Sequence, residues 1–293
     1  MNAPDHYCSQ KVTQSGSSFY YSFLFLPPTE KQAIIAVYAF CREVDDIVDE
    51  CQERDIALKK LQFWYEEVER IFLGKPLHPV GIALLTALDH FPLKKHLLQE
   101  ILQGMQMDIN YQGYQTFEDL RLYCHCVASA VGLLAAEIFG YSDSKTLEYA
   151  RNLGLAFQLV NIIRDVGEDA RRGRIYIPET ELSQFSLTAH SILDQTNSNL
   201  NQAYSENFKA LMQYQATRAR SYYEKAKTLL PINDAYKQRS GLIMAEIYFT
   251  LLQEIEKTNF QVLHQRIALT PLRKLWIAWR MSRKIKKSTQ NDN

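Results

Sequence analysis

Gln158-Leu-Val-Asn161-Ile-Ile-Arg164-Asp165-Val-Gly-Glu168-Asp169 decides how the chain folds. Wound as an α-helix, Asn161, Asp165 and Asp169 fall at i, i+4 and i+8, so three oxygen ligands line one stripe. Leu159, Val160, Ile162, Ile163 and Val166 cover most of the remaining circumference, and so wide an apolar arc predicts burial. Carboxylates in such a place need positive charge against them, because an unpaired buried charge is costly. Far upstream, Ala33-Ile-Ile-Ala-Val-Tyr38-Ala-Phe-Cys-Arg42-Glu-Val-Asp45-Asp46-Ile-Val-Asp49 repeats the pattern, with Asp45 and Asp49 at i, i+4. One such stripe is usually a solvated face. Two, each embedded in apolar sequence with an arginine nearby (Arg42, Arg164), predict acidic walls that face each other across a helical core and cage a hard cation. Oxygen ligands without Cys or His select Mg²⁺ over zinc. Mg²⁺ keeps waters and completes its shell with substrate phosphates, so the predicted substrate is a phosphate or diphosphate ester.

A hydrophobic content of 46% over 293 residues is enough for a sizeable core. Lys plus Arg equals Asp plus Glu at 33 each, so no global field favours nucleic acid and no such partner is expected. The five cysteines (Cys8, Cys41, Cys51, Cys124, Cys126) are odd in number and form no C-x-x-C pair, which fits a reducing cytosol better than a disulfide framework. Cys124-His125-Cys126 matches no common zinc spacing. The N-terminus lacks the basic and apolar regions of a signal peptide, and no window approaches 18 uncharged apolar residues. A soluble, cytoplasmic protein is expected.

Helical periodicity dominates and strand alternation is nearly absent, so the fold class is all-α. A short helix is predicted over 1–15, broken by Ser15-Gly16-Ser17-Ser18 before the aromatic run 19–26. Pro27-Pro28-Thr29 reads as a stop and N-cap for a helix from Lys31 to Cys51. Further helices are predicted over 56–72, 81–90, 93–107, 117–139, 144–165, 188–195, 198–230 and 239–258, with a terminal segment after Pro271. No composition shift marks a boundary, so roughly ten helices in one domain spanning 1–293 are expected.

With Tyr123-Cys-His-Cys-Val-Ala between the two acidic stripes and Arg174-Ile-Tyr-Ile-Pro after them, the chain resembles the squalene/phytoene synthase family from about Tyr7 to Arg280. Residues 16–27 and Gly104-Met-Gln-Met-Asp108 most resemble the bacterial presqualene diphosphate synthases of the hopanoid squalene route. The resemblance implies an isoprenoid synthase helical bundle with a central cavity and head-to-head (1′-1) condensation of two farnesyl diphosphates to presqualene diphosphate. It implies that Asp45, Asp49, Asn161, Asp165 and Asp169 bind Mg²⁺, with Mn²⁺ as a substitute, and that NADPH is not required. Arg42, Gln158, Arg164, Arg174, Tyr248 and Arg266 would contact diphosphate or its metals. Ser18, Phe19, Phe23 and Tyr38 would hold substrate, and Tyr123 aligns with the family's catalytic tyrosine. A downstream squalene-forming enzyme is then the expected partner. One departure is visible: Ser129 replaces the final Gly of the tyrosine motif, and it is expected to widen a helix crossing slightly and put a hydroxyl in the pocket wall.

The chemistry accounts for these residue types. Diphosphate leaves an allylic carbon only when its charge is neutralised, and the cation left behind needs apolar, aromatic walls. A proton must then leave as the cyclopropane closes, and Tyr123 or the released diphosphate is the expected base, although a tyrosine serves poorly at its ordinary pKa. Arg171-Arg172-Gly173-Arg174 is either a phosphate-binding flap or a solvated turn. Residues 267–290 contain no acid, and Lys274–Lys287 mixes Leu275, Trp276, Ile277, Trp279 and Met281 with basic residues. Such a segment suits peripheral contact with the inner face of a membrane, or else packs on the core by its tryptophans. Squalene, dehydrosqualene and phytoene synthases remain alternatives within the enzyme class; a non-catalytic helical scaffold has no reason to keep both acidic stripes.

Overall fold

Two long helices carry the acidic stripes and form opposite walls of the bundle. The computed structural model describes residues 3–14, 19–51, 53–197 and 204–291, excepting the side chains of 197 and 287–291, and all regular structure among them is helical. In chain order the helices are α1 (Ala3–Gln14), α2 (Phe19–Phe23), α3 (Pro28–Glu50), α4 (Arg54–Phe72), α5 (Pro79–Leu88), α6 (Lys95–Ile109), α7 (Phe117–Cys124), α8 (Ala130–Phe139), α9 (Lys145–Arg171), α10 (Glu179–Gln184), α11 (Ala189–Asn197), α12 (Glu206–Leu229), α13 (Arg239–Lys257) and α14 (Pro271–Asn291). The count exceeds the expected ten because pieces such as α2 and α10 are only 5 and 6 residues long, too short for periodicity to show. Residues 15–18 and 198–203, where a break and a helix start were expected, lie outside the described residues.

The first acidic helix begins at Pro28, whose missing N–H suits the first helical turn; no side chain caps it, so Thr29 is not the N-cap. Helix α9 runs six residues past Asp165, which keeps Asp169 in helical register with Asp165 and Asn161. Residues 117–139 do not form one regular helix: a π-helical turn, His125–Ser129, separates α7 from α8 directly after Tyr123. Such turns insert an extra residue and often mark functional sites. The segment is, against expectation, long and apolar enough to cross a membrane, but more than half of its apolar window (56%) is buried inside the protein, as in a core helix.

Helix α3 packs on α1, α5, α6 and α8, while α9 packs on α8, α12, α13 and the π turn, so α6 to α8 bridge the two walls. The crossing of α8 with α9 is close to backbone contact. A Cβ on Gly132 would lie 2.7 Å from the Ala150 carbonyl, and one on Gly154 would lie 2.6 Å from that of Ala128. At the far end of α9, a Cβ on Gly167 would lie 2.1 Å from the Leu263 carbonyl, so the segment after α13 lies directly on the second acidic stripe. The near end is fixed by Asp234, which is fully buried and accepts hydrogen bonds from Ser142 N (2.7 Å), Ser142 Oγ (2.6 Å), Asp143 N (3.1 Å) and Thr146 Oγ1 (2.7 Å). These donors lead into α9, so one carboxylate sets where its first turn starts. Asp234→Ala strips four donors of their acceptor and is expected to cost more than about 2 kcal/mol in urea denaturation; a loss below ~0.5 kcal/mol would mean that water replaces the carboxylate.

Candidate active site

Between the two acidic walls lies a cavity of about 430 Å³. Helix α3 contributes Tyr38, Arg42, Asp45 and Asp49, and α9 contributes Gln158, Asn161, Arg164, Asp165 and Asp169. Tyr123 from α7, Tyr248 from α13, Phe19 from α2, Arg174 and Arg266 complete the expected set around it. Phe23 lies deeper, in an apolar cavity of about 170 Å³ that shares Phe19, Tyr38, Gln158, Asn161 and Tyr248 with the first. Ser18 lies outside the described residues. A polar cavity therefore adjoins an apolar one.

The carboxylates at the mouth are neutralised by arginines. Arg42 pairs with Asp45 and with Asp46, each at 2.5 Å, rather than pointing freely at the cavity. Arg164 grips Asp165 through Nε (2.8 Å) and Nη2 (2.5 Å), and Arg266 Nε reaches the same carboxylate at 2.9 Å. Arg172 joins the two walls, 3.0 Å from Asp49 and 3.2 Å from Glu168. Within the basic run, therefore, Arg172 and Arg174 reach the cavity, whereas Arg171 donates to the Leu263 carbonyl at 2.8 Å.

Asp169 forms no ion pair among the described residues, and burial, followed by the charges of Asp165 and Glu168, pushes its pKa up to about 7. Burial likewise lifts Asp45 to about 6 against the pull of Arg42. For Asp165, burial acts upward but Arg164 and Arg266 outweigh it and hold the group below its usual range. The buried Oδ1 of Asn161 has no hydrogen-bond partner among the described residues. An orphaned amide oxygen beside under-neutralised carboxylates fits a hard divalent cation. Among the described residues no three Cys, His, Asp or Glu side chains converge into a closed metal cage. Each wall instead offers an incomplete ligand set, the arrangement that suits Mg²⁺ when substrate oxygens fill the remaining positions.

The sequence reading missed Asp108. It is buried on α6, in helical register with the cavity-lining Ile101 and Met105. Its carboxylate accepts from the Tyr123 hydroxyl at 2.8 Å and from the Tyr176 hydroxyl at 2.7 Å, and the two rings stack with centroids 5.2 Å apart. A lone acid on an otherwise apolar helix face was the available signal. Burial pushes Asp108 up to about 6 against the two tyrosine donors. Burial, and then the Asp108 charge, holds the Tyr123 pKa well above its ordinary value. A pKa raised in this way disfavours Tyr123 as a base acting alone and is in keeping with a role shared with a neighbouring group.

One smaller expectation also changes. Ser129 lines neither cavity; its hydroxyl donates to the Arg151 carbonyl at 2.8 Å, and Gly154 on the facing helix supplies the close approach. Nearby, Cys124 and Cys126 are buried thiols, and His125 Nε2 lies 3.1 Å from Glu100.

The squalene/phytoene synthase family model matches residues 12–273. A phytoene synthase of Arthrospira platensis is 34% identical over 281 residues, covering 92% of this chain and 89% of that protein. The 15-cis-phytoene synthase of Synechococcus elongatus is also 34% identical, over 282 residues with the same coverages. Among solved structures, a dehydrosqualene synthase in complex with ligand superimposes with a TM-score of 0.84 at 28% identity, covering 97% of each chain. Squalene synthase HpnC from Alicyclobacillus acidocaldarius gives 0.74 at 26% identity, covering 88% of this chain and 94% of that one.

The Asp108 pKa predicts a pH dependence of stability. A folded pKa of about 6, above the ordinary 3.8, means that the folded state binds the proton more tightly than the unfolded chain. The resulting stability is fully present below about pH 4 and lost as pH rises through 6. Thermal melts of the metal-free protein are expected to show wild type losing on the order of 2–3 kcal/mol relative to Asp108→Asn between pH 4 and 7. A constant difference across that interval would show that Asp108 ionises as it does in the unfolded chain.

Proposed function

The chain belongs to the squalene/phytoene synthase family, whose reaction is head-to-head condensation of prenyl diphosphates, and we propose that it joins two farnesyl diphosphates into presqualene diphosphate with release of diphosphate. The observation that supports this reading is the adjacency of the two cavities: a polar one walled by carboxylates and arginines shares Phe19, Tyr38, Gln158, Asn161 and Tyr248 with an apolar one. A diphosphate ester with a long hydrocarbon tail has that same division.

Asp45, Asp49, Asn161, Asp165 and Asp169 are the residues that would hold Mg²⁺, with Mn²⁺ as a substitute. The bound cation supplies charge neutralisation for the departing diphosphate. Arg42, Arg164, Arg172, Arg174 and Arg266 add fixed positive charge around that mouth. Deeper in, the Phe157–Tyr248 stack (centroids 4.4 Å apart) and the Phe19–Tyr38 pair (5.4 Å) offer ring faces to an allylic cation and keep water from it. When the cyclopropane closes, a proton leaves the substrate. Tyr123 accepts it on oxygen while passing its own to Asp108, so no free phenolate forms. A carboxylate pKa of about 6 is well matched to that role near neutral pH. The reaction needs no NADPH and ends at the cyclopropyl diphosphate, which a separate squalene-forming enzyme consumes.

A C20 substrate leading to phytoene is the second reading, favoured by the phytoene synthases at 34% identity. Chain length is governed by the inner end of the apolar cavity, where Phe139 and Tyr149 stand.

Incubation of the purified protein with Mg²⁺ and either the C15 or the C20 diphosphate, with and without NADPH, separates these outcomes. Presqualene alcohol after phosphatase treatment, with or without NADPH, is the expected result; phytoene from the C20 substrate alone replaces it with the second reading. Asp45→Ala and Asp165→Ala are expected to keep the wild-type circular dichroism and lose activity by at least ~10²-fold; unchanged turnover in either removes the metal-binding assignment. Shortening the inner wall with Phe139→Ala or Tyr149→Ala is expected to raise the C20-to-C15 rate ratio above that of wild type.

A further inference from the structure

Helix α14 is attached to the bundle by one side only. Ile277, Ala278 and Ile285 are buried, Arg273 Nη2 pairs with Glu254 at 2.9 Å, and Arg280 approaches Glu246 at 3.9 Å. The tryptophans do not pack on the core, contrary to one of the two sequence readings. Trp276 is 53% exposed and Trp279 48%, with Leu272 and Leu275 also exposed beside them. At helical spacing these four form a single outward stripe. Isolated apolar residues on a surface need no explanation, but a contiguous aromatic stripe does.

The stripe is bordered by positive charge. Arg280 lies over the Trp276 ring (5.3 Å) and Arg283 over that of Trp279 (4.9 Å). Arg283, Lys284 and Lys286 form no ion pair among the described residues, and no acid occurs between 267 and 290. The helix also adjoins the cavity: Lys274, the residue before Leu275 of the stripe, lines the mouth together with Ile267, Ala268 and Leu269.

We infer that the outer face of α14 docks on an anionic lipid bilayer, with Leu272, Leu275, Trp276 and Trp279 entering the interface and Arg283, Lys284 and Lys286 meeting the headgroups. Tryptophan at the headgroup level and basic residues around it are the two elements of interfacial helix binding. The same docking sets the cavity mouth at the membrane surface. If the cavity handles prenyl diphosphates as proposed above, tail and product can then exchange with lipid without crossing bulk water.

The protein contains three tryptophans, and the third, Trp64, is buried in the core, so fluorescence reports on α14. The full chain is titrated with vesicles of phosphatidylcholine and phosphatidylglycerol at about two to one, without substrate. A blue shift and quenching by brominated acyl chains are expected with these vesicles and not with phosphatidylcholine alone. Trp276→Ser/Trp279→Ser is expected to abolish co-sedimentation, and Arg283→Glu/Lys284→Glu/Lys286→Glu to weaken it about tenfold or more. Unaltered fluorescence with no co-sedimentation of wild type overturns the inference. So does a concentration-dependent dimer that shields the tryptophans without lipid, which would make a second copy the occupant. Binding is read without turnover, so either result leaves the catalytic proposal to its own test.

Discussion

Ionised carboxylates in an apolar helical bundle persist only against positive charge, and this constraint shapes the whole centre of the protein. Asp45, Asp165 and Asp49 each have an arginine, supplied respectively from their own helix, from their own helix plus the segment after α13, and from the turn after α9. That last pair crosses from one acidic wall to the other, so the walls are joined electrostatically across the mouth they frame. Asp169 stands outside this pairing, so burial, followed by the charges of Asp165 and Glu168, raises its pKa without a paired arginine to offset it. The contrast between Asp165 and Asp169, four residues apart on one helix, shows that local charge rather than helix position sets ionisation here.

Such a network requires backbones held at close range, and three glycines on or facing α9 meet that need. Gly132 and Gly154 bring α8 and α9 nearly to backbone contact, and Gly167 admits the Leu263 carbonyl beside Asp165 and Asp169. Without that last approach Arg266 could not reach Asp165, because it is carried on the same short segment. Packing and electrostatics are therefore coupled: a side chain at Gly167 would displace a counter-charge as well as a loop.

The acidic stripes were legible because both requirements of a helical ligand set, period and apolar surroundings, lie within a dozen residues of sequence. Gln158 to Asp169 carries its own argument. Asp108 was not legible in that way, since one acid on a helix has no partner in its own sequence neighbourhood, and its meaning comes from Tyr123 and Tyr176, 15 and 68 residues away. Arg172 was read as part of a run in which flap and turn were equally good descriptions, and only its position opposite Asp49 separates it from Arg171. Ser129 misled for the opposite reason: the crossing it was thought to widen is governed by a glycine on the other helix.

The arginines carry a further consequence for how the mouth responds to an anionic ligand. They serve the carboxylates, so the fixed charges around the mouth nearly cancel. On the proposed function, a divalent cation held by Asp45, Asp49, Asn161, Asp165 and Asp169 would supply part of that neutralisation, leaving guanidinium groups available to a diphosphate. Arg is suited to such an exchange because its planar fork fits carboxylate and phosphate oxygens alike. Neither ligand alone satisfies both sets of groups: a cation alone frees arginines with nothing to bind, and a diphosphate alone competes with carboxylates for the same donors. On the proposed function, this charge balance would favour joint binding of metal and diphosphate over binding of either alone.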